Sequence, residues 1–121
     1  MSLLDNHFDV LTRLLAASEQ RQQVLSHNIA NVNTPGYRRL ELDFESALAE
    51  EIRRGGGAGS GTPTAASIRQ TDGLPVRADG NNVDIDMEIG QLSKNALLQQ
   101  TYLQLMSTDL SQMRRAMEGG S

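Results

Sequence analysis

Along the first thirty positions, Leu4, Phe8, Leu11, Leu15, Leu25 and Ile29 fall alternately four and three residues apart once Ser18 and Gln22 are counted as polar interruptions. That is the a/d seam of a heptad helix. Neither Gly nor Pro occurs before Pro35, and Ser2-Leu3-Leu4-Asp5 has the Ser-x-x-acid form of a capping box. The spacing predicts one helix from about Leu3 to Ala30, ~40 Å long.

A second series runs longer. Ile85, Ile89, Leu92, Ala96, Gln99, Leu103, Met106, Leu110, Met113 and Met117 keep the four-three spacing without a break, and only Gln99 is polar. A helix of ~50 Å is predicted from about Asp86 to Glu118. Asp84 or Asp86 is its N-cap, and Glu88 lies in its first turn. Arg114 and Arg115 sit near its C-terminal end, before Gly119-Gly120. Leu97, Leu98 and Leu105 lie beside the seam and widen the stripe.

Between the two series the pattern breaks up. The first helix stops at Asn31-Val32-Asn33-Thr34-Pro35-Gly36-Tyr37. Asn31 or Asn33 suits a left-handed C-terminal position, Pro35 disfavours helix at Thr34, and Pro35-Gly36 fits the centre of a type II turn. Leu40, Leu42 and Phe44 then alternate with Arg39, Glu41 and Asp43, which predicts a short extended piece. Asp43 is the expected N-cap of a helix from Phe44 to Arg54, with Phe44, Ala47, Leu48 and Ile52 on one face. Glu45 in the first turn and Arg53 and Arg54 in the last match the macrodipole, and Gly55 ends the helix. Residues 55–62 form a Gly-rich linker by composition. Weak strand signals at Ile68 and Val76 stand between the turn signals Asp72-Gly73 and Asp79-Gly80, so loop is expected with at most a short β-hairpin.

The predicted fold is mainly α. Its parts are an N-terminal heptad helix (1–33), a turn plus short helix (34–54), a flexible Gly-rich linker or loop (55–83) and a C-terminal heptad helix (84–121). The two ends together form one discontinuous helical domain. They pair as an antiparallel coiled-coil-like hairpin or within an inter-subunit bundle. In that pairing Leu4, Phe8, Leu11, Leu15, Leu25 and Ile29 pack against Leu92, Ala96, Leu103, Met106, Leu110 and Met113, while Ile89 and Met117 extend the assembly seam.

Composition sharpens this. The 121 residues (13.2 kDa) give room for one small domain, yet aromatics make up only 3%. Large core-filling side chains are scarce, and the apolar residues concentrate in two terminal seams that neighbours would complete. Net charge is −4, and no segment is basic: residues 1–54 hold six basic and eight acidic groups, 55–83 two and two, 84–121 three and five. Nucleic-acid binding is therefore not expected. With no cysteine, disulfide scaffolds, thiolate metal sites and a Cys nucleophile drop out. No apolar run approaches the ~18 residues of a membrane span. The N-terminus lacks the basic and apolar regions of a cleaved signal peptide. The chain is thus expected to stay in the cytosol or to leave by a route that reads no such signal.

Candidate chemistry is thin. Gly56 and Gly61 have phosphate-loop separation, but Thr62 stands where Lys is needed and no apolar strand precedes. The segment from Asp79 to Asp86 places Gly80 second and an acid, not Glu, six residues later, against the calcium-loop pattern. Asp84, Asp86 and Glu88 cluster where a helix start wants acids anyway. His7 and His27 lie twenty residues apart on one helix without ligand spacing. No catalytic, cofactor-binding or metal-ligating residue is expected, and the chain does not read as an enzyme.

One segment carries a more specific signal. Asn28-Ile29-Ala30-Asn31, followed by Thr34, Pro35, Gly36 and the aromatic Tyr37, resembles the N-terminal signature of bacterial flagellar axial proteins, the family of rod, hook and hook-associated proteins. Further features are similar to the rod proteins in particular. Asp43-Phe44 follows the signature at the right interval, and residues 79–88 resemble the segment before a rod protein's C-terminal helix. The short length also fits, since hook and distal-rod relatives carry large inserted domains. The resemblance covers about 20–48 and 79–105 and is negligible over 55–78.

The resemblance implies a structural subunit of the proximal rod, the drive shaft crossing the periplasm. It implies terminal helices packed as a coiled coil in the inner tube, and export through the flagellar type III apparatus without signal cleavage. Partners would be the chain itself, other rod proteins, and the membrane-anchored basal-body ring with its export gate. Asn28, Asn31, Thr34, Pro35, Gly36 and Tyr37 would set the turn that leaves the inner helix. Two other readings share parts of the pattern: a helical binding module such as an export chaperone or adaptor, and a small wall hydrolase.

Overall fold

The computed structural model describes residues 3–53 and 67–119, except for the side chains of 3–6, 47, 51, 52 and 67. The Gly-rich stretch 55–62 and Arg54 therefore lie outside the described residues, as do the side chains of Leu4, Ala47 and Ile52. The elements run α1 (Leu3–Ala30), β1 (Leu40–Asp43), α2 (Glu45–Arg53), β2 (Ser67–Gln70) and α3 (Ile85–Gly119). The fold is mainly α, as the periodicity predicts: 28 residues in α1 and 35 in α3.

α1 and α3 lie side by side, antiparallel. Three contacts set the register. Asn28 meets Glu88, Ser18 and Gln22 meet Asn95, and His7 meets Asp109. The opposite flank of α1 packs on the middle of the chain, where Ala17, Leu42, Phe44 and Leu48 form a buried cluster with Leu14 against it. Arg21 ties this flank down by donating to the Leu42 carbonyl (3.1 Å) and pairing with Glu45. The Arg21 guanidinium holds the Glu45 carboxyl below its ordinary value.

β1 and β2 form a two-stranded antiparallel ribbon, Leu40 opposite Gln70 and Asp43 opposite Ser67. Its strands are not sequence neighbours, since α2 intervenes between them. Ile68 falls in β2, and Val76 lies in irregular chain.

Two local expectations need correction. Phe44, not Asp43, stands immediately before the first helical residue of α2, and the Leu48 N–H already bonds to the Phe44 carbonyl (2.9 Å). Asp43 is the last residue of β1, because burying Phe44 in the cluster with Leu42 and Leu48 requires the strand to run that far. Neither Asn31 nor Asn33 is left-handed: among the described residues only Gly36, Gly73 and Gly80 have positive φ. α1 instead tightens into three-residue turns, with the Val32 N–H on the Ile29 carbonyl (3.2 Å) and the Thr34 N–H on the Asn31 carbonyl (3.1 Å). The Asn31 side-chain amide donates to the His27 carbonyl (2.8 Å), which also accepts from the Asn31 backbone N–H (3.1 Å) in the last turn.

Candidate functional site

The two segments singled out by sequence, 28–37 and 79–88, meet at the closed end of the α1–α3 pair. They are joined by polar side chains removed from solvent.

Asn28 is the hub and is fully buried. Its amide nitrogen donates to the Leu40 carbonyl (2.8 Å) and to Glu88 Oε2 (3.2 Å). Its oxygen accepts from the Leu40 N–H (3.0 Å) and from the Tyr37 hydroxyl (2.7 Å). One amide thus caps the start of β1, holds the aromatic of the turn and reaches α3. Glu88 is also fully buried, with Arg39 Nε on its other oxygen. Arg39 in turn donates to Thr71 Oγ1 (2.9 Å). A buried carboxylate and guanidinium each lose hydration, so their pairing depends on such filled valences. Burial raises the Tyr37 phenol above its ordinary value of 10.0, and the Glu88 carboxylate adds to this against the opposing pull of Arg39.

Two asparagines on the second segment complete the clasp. Asn81 donates to the carbonyls of Asn31 and Thr34 (2.9 Å each), while its oxygen accepts from the Val83 N–H (2.7 Å). Asn82 accepts from the Arg39 N–H and donates to the Thr71 carbonyl (3.2 Å). Arg77 bonds the Val83 carbonyl (2.6 Å) and reaches the Val32 carbonyl as well.

Glycine is required where the segments touch. Gly36 has φ 75° and the Tyr37 N–H closes on the Thr34 carbonyl (3.2 Å), which is a type II turn. The Gly36 N–H donates to the Asp79 carbonyl (2.8 Å). Gly80 has φ 87°, and a Cβ there would stand 3.3 Å from Gly36 Cα. Thr34, Pro35 and Gly36 are exposed on the outer curve of this turn, Asn31 and Ile29 are half-buried, and Ala30 is exposed. Asp84 begins α3: its Oδ1 accepts from the N–H groups of Asp86 (3.0 Å) and Met87 (3.4 Å). Asp86 is exposed in the first turn.

Within the chain, the apolar seam of α3 does not carry the whole of the pairing with α1. Leu11 and Leu25 of α1 are buried, and Phe8, Leu15 and Ile29 are half-buried. On α3, however, Ala96, Leu103 and Leu110 do not pack into α1 but face outward, together with Ile89 and Met117. Leu103 is 52% exposed, Leu110 50% and Met117 82%. The face turned to α1 is Glu88, Leu92, Asn95, Gln99, Tyr102, Met106, Asp109 and Met113, itself spaced four and three. Leu92, Gln99, Met106 and Met113 are common to both series.

The reason is hydrogen bonding. Asn95 donates to the Ser18 carbonyl (2.8 Å) and to Gln22 Oε1 (3.1 Å), so the two polar interruptions of α1 meet a polar residue of α3. His7 Nδ1 lies 2.8 Å from the buried Asp109 Oδ2. With Glu88, these are three polar pins on one column, at intervals of seven and fourteen residues. The Glu88 carboxylate and the Asn95 amide nitrogen leave solvent where hydrogen-bond partners meet them, and that fixes the rotation of α3. Sequence reading took Glu88 as an acid of the first turn and gave Asn95 and Asp109 no role, because the seam was traced through the series richest in apolar residues. The signal available was the second four-three series and its match to Ser18 and Gln22.

Among the described residues no cluster of three or more His, Asp or Glu stands close enough to hold a metal ion, and no helix is long and apolar enough to cross a membrane. The clasp holds two chain segments together and, in doing so, leaves an apolar stripe on the outside.

Comparison with known proteins matches the same region. The family model for flagella basal body rod proteins matches residues 8–38, from the first turns of α1 through the type II turn. The flagellar basal body rod protein FlgB of Aeromonas hydrophila is 32% identical over 125 residues, covering 95% of both chains. FlgB of Escherichia coli (strain K12) is 33% identical over 120 residues, covering 84% of this chain and 86% of the relative. FlgB of Bacillus subtilis (strain 168) is 27% identical over 128 residues, covering 99% of both.

Proposed function

The chain belongs to the flagellar basal body rod protein FlgB family, and from that premise we propose that it is a structural subunit of the proximal rod that assembles through the outer seam of α3. The observation that carries this reading is the inversion on α3. Its polar residues Glu88, Asn95 and Asp109 are turned inward, and Ile89, Leu103, Leu110 and Met117 are left outward at helical spacing. An exposed apolar stripe of this length is the form of a helix that another helix covers.

In this reading the motif residues Asn28, Asn31, Thr34, Pro35, Gly36 and Tyr37 act through shape. They lock the end of α1 to the start of α3, so that the two helices present a fixed face to neighbours. Partners are other copies and other rod proteins, with the membrane-anchored ring and export gate at the base. The subunit transmits torque across the periplasm without catalysing a reaction, and it reaches its place through the flagellar type III apparatus without a cleaved signal.

The test is Leu110→Asp. The side chain is half exposed in the free chain, so the variant is expected to fold with an unchanged circular dichroism spectrum. A charge in a seam desolvated by assembly is costly. A strain carrying only this variant should be non-motile, and its purified basal bodies should lack the subunit. Normal swimming at normal expression would overturn the reading.

A further inference from the structure

The sequence holds two Asp-Gly pairs, Asp72-Gly73 and Asp79-Gly80, and no Asn-Gly pair. A glycine after aspartate brings no Cβ beside its own nitrogen, so that nitrogen can reach the carboxyl carbon of the preceding side chain. We propose that Asp72-Gly73 is a site of spontaneous isomerisation to isoaspartate in the folded chain, and that the clasp protects Asp79-Gly80 from the same reaction. Ring closure joins the Gly73 nitrogen to Asp72 Cγ. The carboxyl hydroxyl and the amide hydrogen leave together as water, which gives a succinimide. Water then adds back. Addition at Cγ restores aspartate. Addition at the main-chain carbonyl leaves the chain running through Cγ, with a free α-carboxylate. The net change is an isomerisation, and water is the only co-reactant.

Both aspartates are exposed, so access to water does not separate them. Hydrogen bonding does. At the second pair the Gly80 N–H donates to the Arg77 carbonyl (2.9 Å), and the Asp79 carbonyl accepts from the Gly36 N–H (2.8 Å). Asp79 Oδ1 accepts from the Asn81 N–H (3.0 Å), with Arg77 Nε 3.9 Å away. The attacking nitrogen, the carboxylate and the carbonyl between them are all engaged. Gly80 also backs onto Gly36, where an added Cβ would stand 3.3 Å from Gly36 Cα. Ring closure there removes the Gly80 N–H and has to break these contacts first. At the first pair, neither Asp72 nor Gly73 has a hydrogen bond or ion pair among the described residues. An added Cβ on Gly73, at φ 81°, would meet nothing within 4 Å, so the ring has room to form.

The reaction has a structural consequence. Isoaspartate adds one atom to the backbone just after Thr71. Thr71 is pinned to the clasp by three bonds: its N–H on the Arg39 carbonyl (2.9 Å), its Oγ1 under Arg39 Nη1 (2.9 Å), and its carbonyl under Asn82 Nδ2 (3.2 Å). A longer link from there to the half-buried Leu74 pulls on that anchorage.

The two sites are each other's control, because glycine follows both and only their surroundings differ. The full chain is incubated for weeks at neutral pH in water enriched in oxygen-18, then cleaved by trypsin in ordinary water. Cleavage after Arg69, Arg77 and Lys94 places Asp72 and Asp79 on separate peptides. Each passage through the ring adds one heavy oxygen, and electron-transfer fragmentation locates the isoaspartate. In the folded chain Asp79 should react at least roughly tenfold more slowly than Asp72, since it waits on local opening of the clasp. In unfolding urea the two rates should converge. Gly36→Val should speed Asp79 and leave Asp72 unchanged. Asp72→Glu, whose side chain closes a six-membered ring far more slowly, should leave its peptide unlabelled. The isomerised fraction, separated by ion exchange, should show faster amide exchange at Thr71. Equal rates at the two sites in the folded chain would overturn the proposal. So would an Asp72 that labels in urea but not when folded, or label in the Asp72→Glu peptide. Unchanged protection at Thr71 would overturn the link to the clasp.

Discussion

α3 has two faces that reverse the usual arrangement of a surface helix. The face buried against α1 carries Glu88, Asn95 and Asp109, and the face turned to solvent carries Ile89, Leu103, Leu110 and Met117. Apolar packing is nearly indifferent to a small rotation of a helix, because one Leu substitutes for another in a hole. Hydrogen bonds are not. Glu88 on Asn28 and Arg39, and Asn95 on Ser18 and Gln22, are satisfied at one register and one rotation only. The polar face therefore specifies how the chain folds on itself, and the apolar face is left free to carry association between chains. On the proposed reading the two faces divide structure from assembly.

That division predicts opposite phenotypes from the two sides of one helix. The largest effect is expected from Glu88→Ala. It removes the buried carboxylate bonded to Arg39 Nε and Asn28 and leaves the guanidinium only the more distant Glu41 carboxylate at 3.7 Å, at a cost of about 3 kcal/mol in unfolding free energy. A urea titration should show most of the stability of a small domain gone, whereas Leu110→Asp on the other face should shift the midpoint little, within about 0.5 kcal/mol. Equal destabilisation by both variants would break the comparison.

Gly36→Val is expected to rank next. A β-branched residue at φ 75° is strained by about 1–3 kcal/mol, and the strain falls on the turn that bonds to Asp79. The effect should appear as faster amide exchange at the end of α1 and in residues 79–83, with the outer seam of α3 unaffected. Protection unchanged from wild type would mean that the turn does not hold the clasp.

Tyr37→Phe should be the smallest, costing about 1 kcal/mol for the hydrogen bond to Asn28. Its sign is read from pH. The Tyr37 phenol is raised in the folded chain, so its contribution is complete below the unfolded value of 10.0 and is lost as pH climbs through the folded one. Wild type should therefore lose stability in the alkaline range more steeply than Tyr37→Phe. Matching alkaline profiles would remove Tyr37 from the buried network.

The clasp also shows why part of the site was legible and part was not. Asn28–Tyr37 and 79–88 stand out along the chain because turns and caps demand particular residues locally: Pro35-Gly36 for the turn, Gly80 after Asp79, acids at the start of α3. That the two segments touch is a property of distance in space, with Gly36 and Gly80 packed backbone to backbone. Arg39 looked like one polar position of an alternating strand, and Glu88 like an acid at a helix start. Each belongs equally to those patterns, and only their mutual burial separates the readings.

The sequence by itself determined the two long helices, the turn that ends the first and the presence of more apolar seam than one chain covers. Periodicity and backbone chemistry act over a few residues, so they are written locally. Which of two overlapping four-three series on α3 faces α1 was decided by the tertiary structure. Polar partners sixty or more residues apart, such as Asn28 with Glu88 and Ser18 with Asn95, outweighed the better apolar match, because leaving them unpaired in the interior costs more than leaving leucines in water.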